Sequence, residues 1–316
     1  MTQNANAIIT LCSHLCVGDD VIPLEPAEWG ALAKRLVDLR LQPEDLFGFS
    51  RRDLTERVGL TGDLAERILR LFARNASLTF ELEKLENFGI TAVTRADRDY
   101  PAALKKKLGA HCPPLFYSAG DLSLLNAPLI GYVGSRTVTD QDVEFTRQTV
   151  LKTAAKGYGV VSGGAKGIDS ASEEVALDAG VPAVDYLSDS MLRKLRSARI
   201  TKAIRDKRLL LLSVSKPDAG FNVGFAMMRN RYIYAQSVAT VIVRSDYQKG
   251  GTWAGAVENL KYEWCKTICR DHKAYKGNQE LIRLGAIGVG ENWDGDPDSL
   301  QPPPKTGEQI GFFDGE

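Results

Sequence analysis

The chain has 316 residues, of which 44% are hydrophobic and 25% carry a charged side chain. This composition is typical of a folded protein with one large domain and a smaller one. Forty basic residues balance forty acidic ones, so the formal net charge is zero. That balance excludes a protein that coats nucleic acid through bulk positive charge, and any anion site must be a local cluster.

The cysteines and the apolar patterning indicate the compartment. Five cysteines are an odd number and too few for a disulfide scaffold, which indicates a reducing environment. The N-terminus lacks the basic segment and long apolar run of a signal peptide. No stretch approaches the roughly 18 consecutive apolar residues of a membrane span. We therefore expect a cytoplasmic protein that does not associate with membranes.

Residues 1–80 predict a small helical domain. Helix signals occur at residues 28–39, at Pro43 and at Ser50, where Asp53 forms an acidic variant of a capping box. The glycine-punctuated turn at residues 58–62 fits a helix-hairpin-helix-like or SAM-like module. Because the segment mixes both charge signs, a packing domain without nucleic-acid contact explains it somewhat better.

Residues 81–289 predict an α/β domain. Short apolar runs alternate with helical periods such as residues 140–156, a pattern typical of βαβ units. The candidate strands are residues 129–133, 159–161, 183–187, 209–214, 240–244 and 267–269. The expected architecture is an extended Rossmann-like, doubly wound, mostly parallel sheet. Residues 290–316, with prolines at positions 302–304, predict a flexible or extended tail.

The loops that follow the predicted strands share small residues and a cation. Ligands of open α/β sheets bind at the carboxyl ends of the strands, where glycine backbones and Arg or Lys can hold an anion. We therefore predict a phosphate site there. Its candidate residues are Gly134, Ser135 and Arg136; Ser162, Gly163, Gly164, Lys166 and Gly167; Lys216; and Lys249, Gly250, Gly251 and Thr252.

The common nucleotide-binding fingerprints are absent from these loops. The turn at Gly134-Ser135-Arg136 is not G-x-G-x-x-G, and no acidic residue stands at a ribose position, which argues against NAD. No G-x-x-x-x-G-K-[ST] segment occurs either. We expect no bound cofactor.

Several motifs resemble the DprA/Smf (DNA-processing protein A) family, in order and at suitable spacing from about residue 80 to 287. They are Tyr100-Pro101-Ala102-Ala103-Leu104, Pro113-Pro114-Leu115-Phe116-Tyr117, Gly120-Asp121, Val133-Gly134-Ser135-Arg136, Ser162-Gly163-Gly164-Ala165-Lys166-Gly167-Ile168-Asp169, Arg229-Asn230-Arg231-Tyr232-Ile233, Gly250-Gly251-Thr252 with Ala256, Gly277-Asn278, Leu281-Ile282 and Gly285-Ala286.

The resemblance implies a protein that binds single-stranded DNA in a basic pocket, passes it to a recombinase, forms dimers and has no established enzymatic activity. Ser135, Arg136 and the loop carrying Lys166 would contact backbone phosphates. Asn230 and Arg231 would support the pocket.

Some positions depart from the family pattern. Ala171-Ser172 replace an Ala-His pair, Arg270-Asp271 replace a Pro-Gly pair, and residues 188–207 are rich in Arg and Lys where the family has a Tyr-Pro motif. We recognise no C-terminal winged helix. This suggests a divergent branch serving phage defence or a mobile element.

The segment Gln309-Ile310-Gly311-Phe312-Phe313 resembles the short peptide with which bacterial proteins dock on the replication sliding clamp. Gln309 would donate hydrogen bonds, and Ile310, Phe312 and Phe313 would fill an apolar pocket. Alternatively, the rings pack on the protein's own surface.

Two further sets of residues have competing explanations. Cys12, His14 and Cys16, with Cys265, Cys269 and His272, could form a zinc site, but they lack C-x-x-C spacing, so we predict free thiols and no metal. Among the aromatic residues, Tyr232 and Tyr234 fit the core, whereas Trp253, beside Gly250-Gly251-Thr252, is a candidate for stacking on a base.

Two alternative functions use the same loops. A nucleotide phosphoribohydrolase resembling the LOG family would use Glu258, which follows the Gly250-Gly251 turn, as its catalytic carboxylate. A sensor would bind a small nucleotide in the pocket without hydrolysing it. The DprA-like motifs cover more of the chain, so DNA binding without catalysis is the leading hypothesis.

Overall fold

The computed structural model describes residues 1–18 and 21–303. The chain divides into two compact units. Unit 1 comprises Met1–Ala119 together with Ser213–Ala219, and unit 2 comprises Gly120–Leu212 and the chain from Gly220 onward. The domain boundary predicted at residue 80 falls inside a helix of unit 1, because the apolar spacing of Leu78, Leu82 and Leu85 continues across it.

Within the described residues, unit 1 contains six α-helices and one antiparallel strand pair. Its helices are α1 (Gln3–Cys12), α2 (Pro26–Asp38), α3 (Arg51–Glu56), α4 (Gly62–Ala73), α5 (Asn75–Asn87) and α6 (Ala102–Leu108). The strands β1 (Thr91–Thr94) and β2 (Leu115–Ala119) pair antiparallel. The capping box predicted at Ser50 and Asp53 begins α3, and Pro43–Gly48 is a 3-10 helix.

A half-buried arginine connects the helices of unit 1. Arg74 follows α4 and donates hydrogen bonds to the carbonyl oxygens of Ser13, at 2.7 Å, and Leu15, at 2.5 Å. The Ser13 hydroxyl lies 2.7 Å from the Tyr117 hydroxyl on β2. These bonds satisfy backbone carbonyls just after α1, which would otherwise be left without partners.

Unit 2 is built on seven parallel strands. They are β3 (Leu129–Val133), β4 (Gly159–Ser162), β5 (Ala183–Tyr186), β6 (Leu209–Ser213), β7 (Ala239–Ile242), β8 (Lys266–Arg270) and β9 (Ile287–Val289). Their order in the sheet is β6-β5-β4-β3-β7-β8-β9, with every neighbouring pair parallel. The predicted doubly wound, mostly parallel sheet is confirmed.

In the part of unit 2 that the structure describes, seven α-helices accompany this sheet. They are α7 (Asp140–Ala155), α8 (Ile168–Ala179), α9 (Met191–Lys194), α10 (Ala198–Arg205), α11 (Val223–Gln236), α12 (Gly250–Tyr262) and α13 (Lys276–Arg283). Strands β3 to β7 are buried at every position, as expected for strands covered on both faces. The six strands predicted in this region are all present, whereas β1, β2 and β9 were not predicted.

The segment after β9 differs from the predicted flexible tail. Up to residue 303 it packs against unit 2: Trp293 is only 8% exposed, and Lys152 donates to the Glu291 carbonyl oxygen at 2.6 Å. Lys266 donates to the Pro297 carbonyl oxygen at 2.8 Å. The Gly and Asp content suggested mobility, but an aromatic anchor and lysine contacts to backbone carbonyls order the segment.

No helix within residues 1–18 and 21–303 has both the length and the apolar character required to cross a membrane.

Candidate functional site

The sheet of unit 2 reverses its direction of winding between β3 and β7. From β3 the chain proceeds outward through β4, β5 and β6 on one side, and through β7, β8 and β9 on the other. The loops after β3 and β7 therefore diverge and open a crevice at the carboxyl ends of the strands. One backbone bond, from the Ser135 N–H to the Arg244 carbonyl oxygen at 3.0 Å, joins the two loops at the base of this crevice.

A cavity of about 390 Å³ lies at this position, entirely within unit 2. Five chain segments contribute to it: the loop after β3, the loop leading into α8, the residues before and along α11, the loop after β7, and the start of α12. The lining residues are Val133, Gly134, Ser135, Arg136, Ala165, Lys166, Asp169, Phe221, Val223, Ala226, Met227, Arg229, Asn230, Tyr234, Arg244, Asp246, Lys249, Gly250, Gly251 and Thr252.

The lining carries more positive than negative charge. Its cations are Arg136, Lys166, Arg229, Arg244 and Lys249, and its carboxylates are Asp169 and Asp246. Helix α12 begins at Gly250, so its free N–H groups and the positive end of its dipole are at the cavity. The chain as a whole is neutral, and the cavity is thus the local cationic cluster that the balanced composition required.

Glycines allow the α8 loop to pack closely on its neighbours. A Cβ atom at Gly163 would overlap the Arg229 guanidinium. Gly167, which precedes α8, has φ of +87° and passes so close to Ser135 and Arg136 that a side chain would overlap their backbone. Any larger residue at these positions would push the loop away from the strand ends that it joins.

A buried ion pair stands at the centre of the cavity wall. Arg229 is 5% exposed and Asp169 6% exposed, and the Arg229 Nη1 atom donates to the Asp169 carboxylate at 3.2 Å. Burial raises the pKa of Asp169, and the neighbouring guanidinium opposes that shift. Within the described residues, the Arg229 Nε and the Tyr234 hydroxyl are buried without a hydrogen-bond partner. Both residues line the cavity, so two unsatisfied polar atoms lie in its buried wall.

On the β7–β8 side of the cavity lies a guanidinium cluster, formed by Asp142, Arg244, Arg270 and Tyr275. Asp142 is fully buried and accepts hydrogen bonds from Arg270 at 2.9 Å, Arg244 at 3.3 Å and the Tyr275 hydroxyl at 2.6 Å. Burial opposes its ionisation, but the hydrogen bonds from Tyr275, Thr139 and Arg244 hold the pKa of Asp142 below its usual value. The cluster fixes Arg244 at the cavity.

On the β4–β5 side lies a lysine cluster, formed by Glu173, Asp185 and Lys194. The Lys194 ammonium donates to Asp185 at 2.6 Å and also to Glu173. Burial and the adjacent Asp185 raise the pKa of Glu173 to about 9, so this carboxyl keeps its proton at neutral pH. Lys194 packs directly under Gly164 of the α8 loop.

The exposed aromatic residue of the cavity is Phe221, not Trp253. Trp253 is 9% exposed and packs edge-on against Tyr247, with ring centroids 5.1 Å apart, because it falls on the inner face of α12. Phe221 is 47% exposed, and the Arg136 guanidinium lies 4.6 Å from its ring centroid. The stacking candidate proposed from the sequence is therefore corrected to Phe221.

The structure separates the predicted site residues into two groups. Those that line the cavity are Gly134, Ser135, Arg136, Lys166, Asn230, Lys249, Gly250, Gly251 and Thr252. Gly163, Gly164 and Gly167 do not line the cavity. They lie in the α8 loop and pack closely against Arg229, Lys194 and Ser135, respectively. Ser162 is buried and donates to the Tyr132 carbonyl oxygen at 2.7 Å. Lys216 is exposed, belongs to unit 1 and does not line the cavity.

Two charged residues predicted on or near α11 and α12 pair with each other. Arg231 contacts Glu258 at 2.7 Å, and neither lines the cavity. Arg229, two residues earlier, lies about 200° around the helix from Arg231, and it is Arg229 that lines the cavity. Asn230 supports the site by donating to the Gly251 carbonyl oxygen at 2.9 Å. Besides Arg229, sequence reasoning missed Arg244 and the apolar residues Phe221 and Met227.

Two further predictions concern metal binding and the C-terminal peptide. All five cysteines are free thiols, and the described ranges contain no group of three or more His, Cys, Asp or Glu side chains placed to hold a metal ion. The peptide proposed to dock on a sliding clamp, Gln309 to Phe313, lies outside the described residues.

Comparison with known proteins identifies a matching family and a similar curated protein. The family of DNA recombination-mediator protein A matches residues 91–294. The chain is 24% identical over 217 residues to DNA processing protein DprA of Bacillus subtilis (strain 168), a match covering 65% of this chain and 72% of that protein.

Two solved structures of the same kind resemble it. DprA from Streptococcus pneumoniae has a TM-score of 0.63 at 19% identity, covering 85% of this chain and 95% of that chain. DNA processing protein A from Helicobacter pylori, described with a single-stranded DNA binding mode, has a TM-score of 0.51 at 25% identity, covering 63% and 90%. Because the family match spans more than half of the chain, this protein belongs to the DNA recombination-mediator protein A family.

Proposed function

We propose that this protein binds single-stranded DNA in the cavity between the loops after β3 and β7. The cations of the cavity would hold a backbone phosphate, and an unpaired base would stack against Phe221. The observation that carries the proposal is the juxtaposition of Arg136 and Phe221 with the cationic loops. One wall offers charge and backbone N–H groups, and the other offers an exposed aromatic face. The single-stranded DNA binding mode described for the Helicobacter pylori relative supports it.

The phosphate side of the cavity follows from its donors. Arg136, Lys166 and Lys249 are exposed cations, while Arg229 holds an unpartnered Nε in the buried wall. The start of α12 adds backbone N–H groups at Gly250 and Gly251. Charge-assisted bonds from such groups are about twice as strong as neutral ones, and they suit an oxygen-rich anion.

The preference for a single strand follows from the aromatic side. In a duplex both faces of each base are covered by its neighbours in the stack, so a ring such as Phe221 can stack only on an unpaired base. Val223 and Met227, also partly exposed, extend the apolar surface beside it. Stacking of this kind discriminates little between bases, so binding should be largely independent of sequence.

The geometry gives less support to hydrolysis. Glu258, the candidate catalytic carboxylate of a phosphoribohydrolase, is paired with Arg231 and does not line the cavity. The proposed activity is accordingly binding without a catalytic step. A small-nucleotide sensor would use the same cations, and the experiment below separates it from DNA binding.

The wider role proposed for the protein is recruitment. A bound strand would be presented to a recombination or defence partner, such as a recombinase, and the protein would act as a homodimer in the cytoplasm. Docking on a sliding clamp through Gln309, Ile310, Phe312 and Phe313 is a further proposal. These steps rest on the family relationship and on the sequence motifs.

The test is fluorescence anisotropy with labelled single-stranded and double-stranded oligonucleotides over a range of salt concentrations. Arg136→Ala should weaken single-strand binding about tenfold or more and flatten its salt dependence. Phe221→Ala should cost about 1–3 kcal/mol with single strands and little with duplex. Arg231→Ala removes a neighbouring arginine outside the cavity and should bind like wild type.

Absence of binding to either oligonucleotide at low salt would reject the DNA proposal. In that case, displacement of a labelled mononucleotide by unlabelled nucleotides becomes the deciding measurement for the sensor. If duplex and single strand bind equally and Phe221→Ala has no effect, the cavity holds phosphate alone, and the base-stacking part of the proposal is wrong.

A further inference from the structure

A second cationic surface lies on residues 188–208 of unit 2. This stretch has eight basic residues against two acidic ones, within a chain of zero net charge. Six of the basic side chains are exposed. One of them, Lys207, pairs with Asp121 at 3.4 Å. The other five are Arg193, Arg196, Arg199, Lys202 and Arg205, and we call them the basic track. The rest of the surface provides solubility with a mixture of both charge signs, so solubility alone does not explain this excess of positive charge.

The helix that carries most of the basic track is amphipathic. Ile200 and Ala203 are buried on one side of α10, at 6% and 3% exposure. Arg199, Lys202 and Arg205 recur every three residues on the opposite side. Like charges at this spacing destabilise an isolated helix. The arrangement therefore opposes local helix stability, which is what a surface selected for binding an anion would do.

Much of this charge is not neutralised by the protein itself. Arg193 pairs with Asp189, and Arg199 pairs with Asp178 at 2.8 Å. Within residues 1–18 and 21–303, Arg196, Lys202 and Arg205 make no ion pair. Three exposed, unpaired cations on one stretch of surface are available to a polyanion from solution.

The stretch that carries the basic track adjoins the α8 loop. Lys194, which lies within residues 188–208 but is not part of the track, packs under Gly164, and Ala165 and Lys166 of the same loop line the cavity. Farther along, the Arg199 guanidinium donates to the Glu174 carbonyl oxygen and to Asp178, on the later turns of α8. From Ile168 to Asp178 is about 15 Å along the helix axis, a distance of several nucleotides.

We propose that the basic track binds the sugar-phosphate backbone of a DNA strand as it leaves the cavity, so that one chain holds two separated stretches of a single strand. This rests on the proposed DNA binding in the cavity. Residues 188–208 contain no aromatic side chain, so the contact is to phosphates and carries no sequence preference. The ligand is thus a strand longer than the cavity can hold.

The experiment compares oligothymidylates of about 5 and about 25 nucleotides, the first near the size of one compact binding site. Anisotropy titrations over a salt series would use wild type, Lys202→Gln with Arg205→Gln, and Arg136→Ala. A charge-matched control, Arg147→Gln with Lys156→Gln, removes two exposed cations from α7 and the residue that follows it. Lys202 and Arg205 are exposed, so their replacement should leave the fold intact.

For the 25-mer, the Lys202/Arg205 variant should lose about tenfold in affinity at low salt, and its salt slope should fall by roughly 1.4, about 0.7 for each lost phosphate contact. Its affinity for the 5-mer should match wild type, and the α7 control should match wild type with both lengths. Arg136→Ala should weaken both lengths.

If the Lys202/Arg205 variant and wild type bind the 25-mer equally, the proposal that the basic track binds DNA is wrong. If Arg136→Ala loses 5-mer binding in the same experiment, the proposal for the cavity still holds. An equal loss in the α7 control would also overturn it, since bulk charge would then explain the effect. Failure of wild type to bind either length would overturn the proposed function and this inference together.

Discussion

The cavity lies between two buried clusters that use the same kinds of side chain in different proportions. The lysine cluster has two carboxyl groups and one cation, and burial beside Asp185 raises the pKa of Glu173, which favours its protonated form. The guanidinium cluster has one buried carboxylate, Asp142, shared by two arginines. The groups of the first cluster therefore sum to zero charge, whereas those of the second sum to one positive charge, which the exposed Glu291, 3.6 Å from Arg270, offsets from the solvent side.

The difference arises from which groups can release or accept a proton. A surplus carboxyl group lowers its charge by taking up a proton, whereas arginine cannot lose one at any physiological pH. Surplus positive charge thus persists only where arginines exceed carboxylates, and Arg244 carries it to the cavity wall. The lysine cluster instead supports the α8 loop and adds no net charge near the cavity.

The largest expected effect comes from removing the shared carboxylate. Asp142→Ala leaves Arg270, which is 3% exposed, and Arg244 without their buried counter-charge. We expect the free energy of unfolding to fall by about 3–5 kcal/mol, measured by urea denaturation. Asp140→Ala, an exposed acidic residue on the same helix, is the control and should change little. A loss below 1 kcal/mol would mean that the two arginines need no partner.

A somewhat smaller loss is expected in the lysine cluster. Lys194→Met keeps the packing under Gly164 but removes the only cation that faces Asp185 and Glu173 in the cluster. Because a second proton can partly compensate, we expect a loss of about 2–4 kcal/mol. Arg193→Met changes an exposed neighbour and should have little effect. A larger loss than in Asp142→Ala would mean that the lysine cluster contributes more to stability than the guanidinium cluster.

The pH dependence of stability tests the protonated carboxyl directly. The folded-state pKa of Glu173 is about 9, against 4.5 ordinarily, so its contribution is complete below about pH 4.5 and is lost as pH rises toward 9. Glu173→Gln cannot ionise and should exceed wild type in stability by about 1–3 kcal/mol at pH 8, but not at pH 5. Urea midpoints at both pH values measure this, with the exposed Glu174→Gln as control. A gap that does not depend on pH would show that Glu173 is ionised.

The smallest effect concerns Tyr275. Its hydroxyl donates to Asp142 at 2.6 Å and is one of several donors to that carboxylate. Tyr275→Phe should reduce the free energy of unfolding by about 1 kcal/mol, since the two arginines remain in place. Tyr262→Phe, at a residue 58% exposed, provides the comparison and should be neutral by the same denaturation assay. A loss as large as that of Asp142→Ala would make the hydroxyl, not the arginines, the main partner of Asp142.

The sequence was most informative where a local pattern determines structure. Buried apolar runs predicted β3 to β8, and the residues that follow β3, β4 and β7 contribute more than half of the cavity lining, because these strands flank the point where the winding reverses. The residues directly after β5, β6 and β8 do not line the cavity. The motif around Asn230 was recognisable, but which of its arginines faces the cavity depends on the rotation of α11. That rotation is set by packing against the sheet, and the motif alone does not specify it.

Long-range packing explains the other differences. Trp253 adjoins the glycine turn in sequence, yet α12 buries it against Tyr247, while Phe221 reaches the cavity from a loop with no strand signal. Lys216 follows β6, which lies three strands away from β3 in the sheet. Its position after a strand therefore did not bring it to the cavity beside β3. Neither outcome follows from neighbours in the chain.

The divergence of β3 and β7 also governs when the protein can become functional during synthesis. The walls of the cavity extend in sequence from Val133 to Thr252, and the loop after β3 is joined to Arg244 only once β7 has paired with β3. A nascent chain that has emerged only as far as β6 therefore has half a crevice and no second wall. A DNA strand bound as proposed above would therefore meet a complete cavity only after β7 has paired with β3, and its binding would stabilise only the completed fold.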